Sequence, residues 1–251
     1  MISLIPVGGI PEVRPGDDLA SLIAAGLGAG GIGLANDDVL VVTQKVVSKA
    51  EGRVVDLATV APRPEAVAWA ERWAKDARQV ELVLRESSQV VRWADGGLII
   101  SRTRHGFVCA NAGVDLSNTG GERLATLLPE DPDASARQLR ERLGELTGSR
   151  PAVVISDSFG RPWRSGIVNV AIGAAGIAAL ADLRGQPDAQ GREMRSTIIA
   201  VADELASAAD LAGAKVGQLP VVVVRGYAAA RLQDDGGAAE LVMPREQDLF
   251  P

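Results

Sequence analysis

The sequence predicts a mixed α/β (α+β) fold, and three observations carry the prediction. Residues 39–43, 152–156 and 220–224 form continuous apolar runs, which is typical of strands buried on both faces of a sheet. Segments with helical patterning lie between these runs. Only 3% of the residues are aromatic, so the core must be aliphatic and rich in Ala and Gly. Alternating strands and helices of this kind indicate helices packed on a sheet.

The first half of the chain opens with a short strand over residues 2–7. Asp17 and Asp18 begin a helix that runs to about Ala25, because acidic residues stabilise the first turn. A glycine-rich break over residues 26–33 precedes the buried strand at 39–43. The remaining predicted elements of this half are a helical region at 64–87, which divides into two helices, and strands at 90–91, 98–100 and 107–110.

The second half begins with a helix over residues 134–146, which Pro132 and Asp133 precede and Gly148 ends. The strand at 152–156 leads into Asp157. Later predicted elements are a small-residue, buried stretch at 167–180, a helix at 196–211, a strand at 220–224 and a peripheral tail at 234–251. Since no linker interrupts this order, we expect one module over residues 1–251 that divides into two subdomains.

Composition limits the classes of function. The net charge of −6 and the absence of a Lys/Arg run disfavour nucleic-acid binding. The uncharged run at residues 165–181 is too short to span a bilayer, so no membrane partner is expected. The single cysteine, Cys109, and the lack of a signal-peptide pattern indicate a cytoplasmic protein. The single histidine, His105, excludes a three-histidine metal site, and we interpret it as a loop or strand-edge residue.

Two nucleotide-binding motifs can be set aside. Residues 26–31 match GxGxxG, but a helix precedes them and a strand follows, which reverses the order that the dinucleotide fingerprint requires. We interpret them as a flexible loop. No GxxxxGK[ST] sequence is present, so a nucleotide must be held in another way.

Two aspartates at predicted strand ends give a more useful signal. Asp115 follows the strand at 107–110, and Asp157 follows the strand at 152–156. Ligands of open α/β sheets collect at the carboxyl ends of strands, where two carboxylates could share Mg2+ or Mn2+. Ser158 adds a hydroxyl, and Arg161 adds positive charge for an anion. The alternative, that both aspartates are turn or N-cap residues, fits the pattern equally well.

Lys45 and Lys49 follow another buried strand and are four residues apart. On a helix this spacing puts both ammonium groups on one side, where they could face phosphates. A solvated basic surface is the simpler interpretation of such a pair.

Five motifs in order resemble the coenzyme F420-0:L-glutamate ligase family, the γ-glutamyl ligases of that coenzyme. They cover nearly the whole chain: IPVGGIPEV at 5–13 with GDDL at 16–19, QKVVSKAEGR at 44–53, NAGVDLSN at 111–118, ISDSFGR at 155–161, and ADE at 202–204 with PVVVVRG at 220–226. Together they are highly specific, whereas each motif alone is not.

The resemblance implies a two-domain, intertwined homodimer with a GTP groove at the subunit interface. It implies that Asp115, Asp157 and Ser158 bind the divalent metal. From its positive charge next to this motif, we expect Arg161 to be a catalytic residue together with the two aspartates. The implied GTP contacts are Gln44, Lys45, Lys49, Asn118 and the backbone of Ile10, Pro11, Glu12 and Val13. K+ is a further candidate cofactor.

One departure concerns a second metal. Some members of the family have an acid or amide after the ADE helix, whereas this chain has Gly213, Ala214 and Lys215 there. A second metal site is therefore in doubt, and Lys215 could contact phosphate instead.

The expected reaction is the GTP-dependent addition of L-glutamate to the deazaflavin precursor F420-0 through an acyl phosphate. Two other classes stay open. A metal-dependent phosphohydrolase would use the same aspartates without needing glutamate, and a non-catalytic small-molecule binding module would use them only structurally.

Overall fold

In the computed structural model, the residues that can be described are 1–117, 123–213, 217–227 and 236–248. The elements of the first half are β1 (Ser3–Pro6), α1 (Leu19–Ala29), β2 (Val39–Thr43), α2 (Gln44–Ala50), β3 (Val54–Asp56), α3 (Pro64–Trp73), α4 (Ala77–Glu86), β4 (Ser87–Trp93), β5 (Ile99–Thr103) and β6 (Val108–Ala110). Those of the second half are β7 (Leu124–Thr126), α5 (Pro132–Thr147), β8 (Ala152–Arg161), β9 (Arg164–Ala175), β10 (Ala181–Asp182), β11 (Ile198–Ile199), α6 (Val201–Gly213) and β12 (Val221–Arg225).

The main sheet has five strands in the order β1-β12-β2-β8-β9. β2 and β8 are parallel, whereas the other three pairings are antiparallel. The three predicted apolar runs are β12, β2 and β8, which lie next to one another at the centre, as burial on both faces requires. The prediction of a mixed fold is confirmed.

A separate hydrophobic core covers each face of the main sheet. On one face, Val153 and Ile155 of β8 pack with residues of α1, α2 and α5. On the other, Val154 packs with residues of α6. A third core joins α3 and α4 to β5 and to residues around β7. The division into two subdomains stays a prediction.

Several predicted boundaries are wrong. α1 continues to Ala29, so only residues 30–33 of the glycine-rich segment form the predicted break. A side chain at Gly26 would meet the carbonyl oxygen of Gly8 at 2.8 Å, so this glycine allows α1 to pack closely against the loop after β1. α6 begins at Val201, not at residue 196. The tail is not merely peripheral, since Ala238 is fully buried and its N–H donates to Asp133 Oδ1 at 2.8 Å.

The interpretation of His105 as a loop residue is confirmed. His105 lies in the turn between β5 and β6, with Nε2 2.9 Å from the carbonyl oxygen of Pro129. Within the described residues, no helix is both long enough and apolar enough to cross a membrane.

Candidate active site

The helix α2 presents two lysines to acidic partners from distant parts of the chain. It begins directly after β2, so its side chains start at the carboxyl end of a central strand. Lys45 Nζ donates to Asp115 Oδ2 at 2.7 Å, and Lys49 Nζ donates to Glu12 Oε1 at 2.5 Å. The spacing of four residues therefore gathers two ion pairs along one helix.

Asp115 lies outside any regular strand. A 3-10 turn over Asn111–Gly113 precedes it, and its backbone N–H and C=O both bond to Thr126. Gly113 adopts φ 72°, and a side chain there would collide with Leu128 at 2.7 Å, so this turn requires glycine. The turn ends the pairing of β6 with β5 and directs the Asp115 carboxylate toward α2.

The Asp115 carboxylate is held ionised by its neighbours. Burial acts to raise its pKa, but hydrogen bonds from Lys45 and Ser117 outweigh burial and bring the pKa below its usual value. The Ser117 N–H donates to Oδ1 at 2.7 Å, and the Ser117 hydroxyl lies 3.0 Å from Oδ2. The sequence reasoning gave no role to Ser117, although it stands within the quoted NAGVDLSN motif.

Gln44 is directed into the protein. Its side chain is buried, and Nε2 donates to the Ser48 hydroxyl at 2.7 Å and to the Leu127 carbonyl oxygen at 3.1 Å. It therefore fastens α2 to the segment that follows β7, next to the backbone partner of Asp115. Its predicted contact with GTP stays a prediction.

Asp157 lies inside a strand, which corrects the expectation that it follows a strand end. β8 continues to Arg161 because β9 pairs with it along this length, and Asp157 stands opposite Val170. Successive residues of a strand alternate between faces. Asp157 therefore shares the face of Ile155 and Phe159, both of which belong to the core that includes Val47 of α2.

Cys109 of β6 is another neighbour of Asp157 that the sequence did not reveal. Burial raises the pKa of its thiol to about 12, and the negative charge of Asp157 adds to this effect. The Asp157 carboxylate therefore influences Cys109, and Cys109 lies in β6, the strand that immediately precedes the turn before Asp115.

The sheet register places Asp157 near the start of α2, the helix that carries Lys45. Thr43 of β2 pairs with Ser156 of β8 in parallel, so Lys45 follows one strand where Asp157 continues the other. Lys45 in turn contacts Asp115. The two carboxylates thus come from different chain segments to the carboxyl end of the parallel pair, where ligands of such sheets bind.

The loop at residues 10–13 borders the same helix. Val13 is buried, Ile10 packs against the same core, and Pro11 is exposed. Glu12 is also exposed and pairs with the nearly buried Lys49. The predicted involvement of this loop was confined to its backbone, so the Glu12 carboxylate is an additional finding.

Ser158 and Arg161 lie apart from this group within one chain. Strand alternation puts Ser158 on the face opposite Asp157, where its hydroxyl bonds to Asn169 Oδ1 at 2.6 Å. Arg161 stands four residues beyond Asp157, about 13 Å along an extended strand, and donates to the Ser165 carbonyl oxygen at 2.9 Å. Their roles at the metal and the phosphates stay predictions. Asn118 and Lys215 lie outside the described residues.

The donor set fits a cation that is shared with a phosphate ligand. In the part of the chain that the structure describes, no cluster of three or more His, Cys, Asp or Glu side chains is arranged to hold a metal alone. Mg2+ commonly takes one or two carboxylates and completes its coordination with phosphate oxygens and water. Asp115 and Asp157 match that requirement in number and in chemistry.

Comparisons with known proteins agree on one family. A sequence model described as F420-0:Gamma-glutamyl ligase matches residues 9–226. The chain is 48% identical to the coenzyme F420:L-glutamate ligase of Methanothermobacter thermautotrophicus, over 99% of this chain and 98% of that protein. It is 46% identical to the protein of the same name from Methanopyrus kandleri, over 95% and 93% of the two chains. For that of Archaeoglobus fulgidus, the identity is 41% over 99% and 96%.

Proposed function

The chain belongs to the F420-0:γ-glutamyl ligase family, and we propose on this basis that it joins L-glutamate to the deazaflavin precursor F420-0 in a GTP-dependent reaction. The relatives that share its whole length are coenzyme F420:L-glutamate ligases, which form amide bonds. GTP, the divalent metal and the acyl-phosphate route belong to the proposal.

The arrangement of charge around α2 is the observation that supports this proposal most strongly. Two lysines and two carboxylates form ion pairs there, and a third carboxylate, Asp157, lies at the adjoining strand. A nucleoside triphosphate with its cation needs positive side chains for the phosphates and carboxylates for the metal. Both kinds of group are present near the carboxyl end of the parallel strand β2 and the neighbouring part of β8.

The proposed chemistry has two steps. The terminal carboxylate of F420-0 attacks the γ-phosphorus of GTP, the bond to the β-phosphate oxygen breaks, and an acyl phosphate and GDP form. The amino group of glutamate then attacks the acyl carbon, loses a proton, and phosphate leaves as the amide forms. A divalent cation, when bound, would neutralise charge on the phosphates.

The side chains of this protein contribute binding and electrostatic stabilisation. Lys45 and Lys49 would exchange their present carboxylate partners for phosphate oxygens and so stabilise charge on the transferring group. That exchange would leave the Asp115 carboxylate available to the cation. Since three substrates must meet, much of the acceleration would come from positioning.

We propose further that the protein acts as a homodimer. Near the tip of the β8–β9 hairpin, Trp163 is 80% exposed and Ile167 is 53% exposed, so two large apolar side chains lie on the surface of one hairpin. Arg161 lies on the same hairpin, away from Asp157 of its own chain. A partner subunit covering this tip would bury the apolar side chains and could place Arg161 at a shared groove.

A product assay tests the proposed function. Purified protein is incubated with F420-0, GTP, Mg2+ and L-glutamate, and the products are analysed by mass spectrometry. We expect F420-0 to gain glutamyl units, with one GDP and one phosphate for each unit, and no gain when GTP or glutamate is omitted.

Two results would contradict the proposal. Consumption of GTP without a glutamate-dependent product would favour a metal-dependent phosphohydrolase. No consumption, combined with no change in thermal unfolding when Mg2+ and GTP are added, would favour a non-catalytic binding module.

A further inference from the structure

A cavity of about 260 Å³ opens beside β9, the edge strand of the main sheet. Phe107, Phe159 and Val170 give it apolar walls, and Val242 from the C-terminal segment lies over it. Three charged side chains also line it, Arg102 of β5, Asp203 of α6 and Asp248 near the end of the chain. The cavity is therefore mainly apolar, with one cationic group and two anionic groups, and small-molecule sites commonly combine apolar walls with a few polar groups.

This cavity adjoins the candidate active site. Val170 is the cross-strand partner of Asp157, and such partners have Cβ atoms about 5 Å apart. Phe159 lies two residues after Asp157 on the same strand and face. A molecule in the cavity would thus lie next to the carboxylate proposed to hold the nucleotide's cation.

Arg102 has acceptors for only some of its N–H groups in the part of the chain that the structure describes. Its Nε is buried and makes no hydrogen bond there, while Nη1 donates to the Gly106 carbonyl oxygen at 3.2 Å. Its charged contact is Asp248, at the long distance of 3.5 Å from Nη2. A buried guanidinium nitrogen without an acceptor is costly, so an incoming carboxylate would be well placed to satisfy it.

Asp203 has no cationic partner among the described residues. Oδ1 accepts from the Ala171 N–H at 2.8 Å, whereas Oδ2 accepts no hydrogen bond from the described residues. Burial raises the pKa of this carboxyl group, since no described positive group compensates it. Arg102 forms no ion pair with it. A ligand that carries an ammonium group would supply the missing charge.

We propose that this cavity binds the amino-acid substrate, L-glutamate, with Arg102 pairing with a carboxylate and Asp203 with the ammonium group. This inference rests on the proposed ligase function and names the site of its second substrate. A ligand with both signs of charge could supply an acceptor to Arg102 Nε and a donor to Asp203 Oδ2. The volume lies just below the roughly 300–1,000 Å³ of sites for larger ligands, which fits glutamate better than GTP or the deazaflavin precursor.

Steady-state kinetics of Asp203→Asn and Arg102→Met test the inference. Losing a charge-assisted hydrogen bond should raise the KM for glutamate about tenfold or more, whereas the KM values for GTP and F420-0 should stay unchanged. Asn can still accept from the Ala171 N–H, so Asp203→Asn is the variant that best preserves the fold. Glu204→Gln and Arg92→Met, at exposed positions, are matched controls that should behave like the wild type.

An unchanged KM for glutamate in folded Asp203→Asn would overturn the inference. An equal rise of all three KM values would also overturn it, because it would indicate a general disturbance. Calorimetry of L-glutamate with the wild type and Asp203→Asn separates this inference from the proposed function, since it needs no turnover. If the wild type forms no product but binds glutamate, and the variant does not, the ligase proposal fails and the binding site stands.

Discussion

The lysines of α2 illustrate how a site can be assembled before its ligand arrives. Lys49 is almost entirely buried, and a buried ammonium group is stable only beside an anion. Its partner Glu12 is exposed, so the pair has one fixed member and one that can move away. We infer that phosphate can replace Glu12 without leaving Lys49 uncompensated.

The sequence predicted only part of this arrangement. The spacing of four residues indicated that Lys45 and Lys49 lie on the same side of a helix, and such a spacing can be read from a short stretch of sequence. Asp115 is 70 residues from Lys45 and Glu12 is 37 residues from Lys49, so no local pattern could identify these partners. The strand-end pattern identified Asp115 and Asp157, and the resemblance gave them a metal-binding role. The parallel register of β2 and β8 puts Asp157 near the start of α2, where Lys45 contacts Asp115.

Replacing Lys49 by methionine should weaken nucleotide binding. Methionine keeps the buried apolar stem but removes the charge. We expect the Kd for GTP to rise about tenfold, as measured by titration calorimetry. Lys75→Met, at an exposed lysine of the α3–α4 connection, is the control and should bind GTP like the wild type. Equal affinities for Lys49→Met and the wild type would remove Lys49 from the site.

At the scale of the element, the ends of α5 were readable in the sequence, whereas the length of β8 was not. α5 has Asp131 as its N-cap, Pro132 in its first turn and Gly148 in the left-handed conformation after its end. These are the residues that local physics favours there, so the prediction was off by two residues at the start. β8 extends five residues past its apolar run because β9 pairs with it, and that pairing is not a local property.

The α3–α4 pair has a charge cluster whose stability should depend on pH. Glu81 of α4 is buried and accepts from Arg63 Nε at 2.9 Å and Arg85 Nε at 2.8 Å. Hydrogen bonds from Arg63, the main cause, lower the pKa of Glu81 to about 2. Since the folded pKa lies below the ordinary value of 4.5, the stabilisation is complete above pH 4.5 and is lost as the pH falls toward 2.

Glu81→Gln should therefore lower the free energy of unfolding by about 2 kcal/mol at pH 7. The difference in the free energy of unfolding between the variant and the wild type should become smaller as the pH falls from 4.5 to 2, as measured by urea denaturation across that range. Glu71→Gln, at an exposed position of α3, should change little. If this difference in the free energy of unfolding stays constant down to pH 2, the charge of Glu81 does not contribute to stability.

At the scale of the whole molecule, the central strands carry both the core and the site. The buried runs were visible as apolar sequence, and their placement at the centre of the sheet followed from burial on both faces. The antiparallel edges were not predictable, because strand order depends on contacts between distant segments. The β8–β9 hairpin exposes Trp163 and Ile167, and the proposed dimer would cover them.

Sedimentation equilibrium should give the mass of a dimer for the wild type. Ile167→Asp places a charge at the exposed tip and should shift the protein toward monomer, with a dissociation constant at least about tenfold higher. Ile198→Asp changes the same residue type at another exposed position and should leave the dimer intact. A monomeric wild type, or a dimer that Ile167→Asp does not affect, would contradict a dimer formed through this tip.

The central claim is that Asp115 and Asp157 hold one divalent cation beside the nucleotide. Mn2+ binding, followed by electron paramagnetic resonance in the presence of a non-hydrolysable GTP analogue, tests it most directly. Both Asp115→Asn and Asp157→Asn should weaken Mn2+ binding at least about tenfold, whereas Asp95→Asn, at an exposed turn, should bind like the wild type. Wild-type Mn2+ affinity in either site variant would contradict the claim.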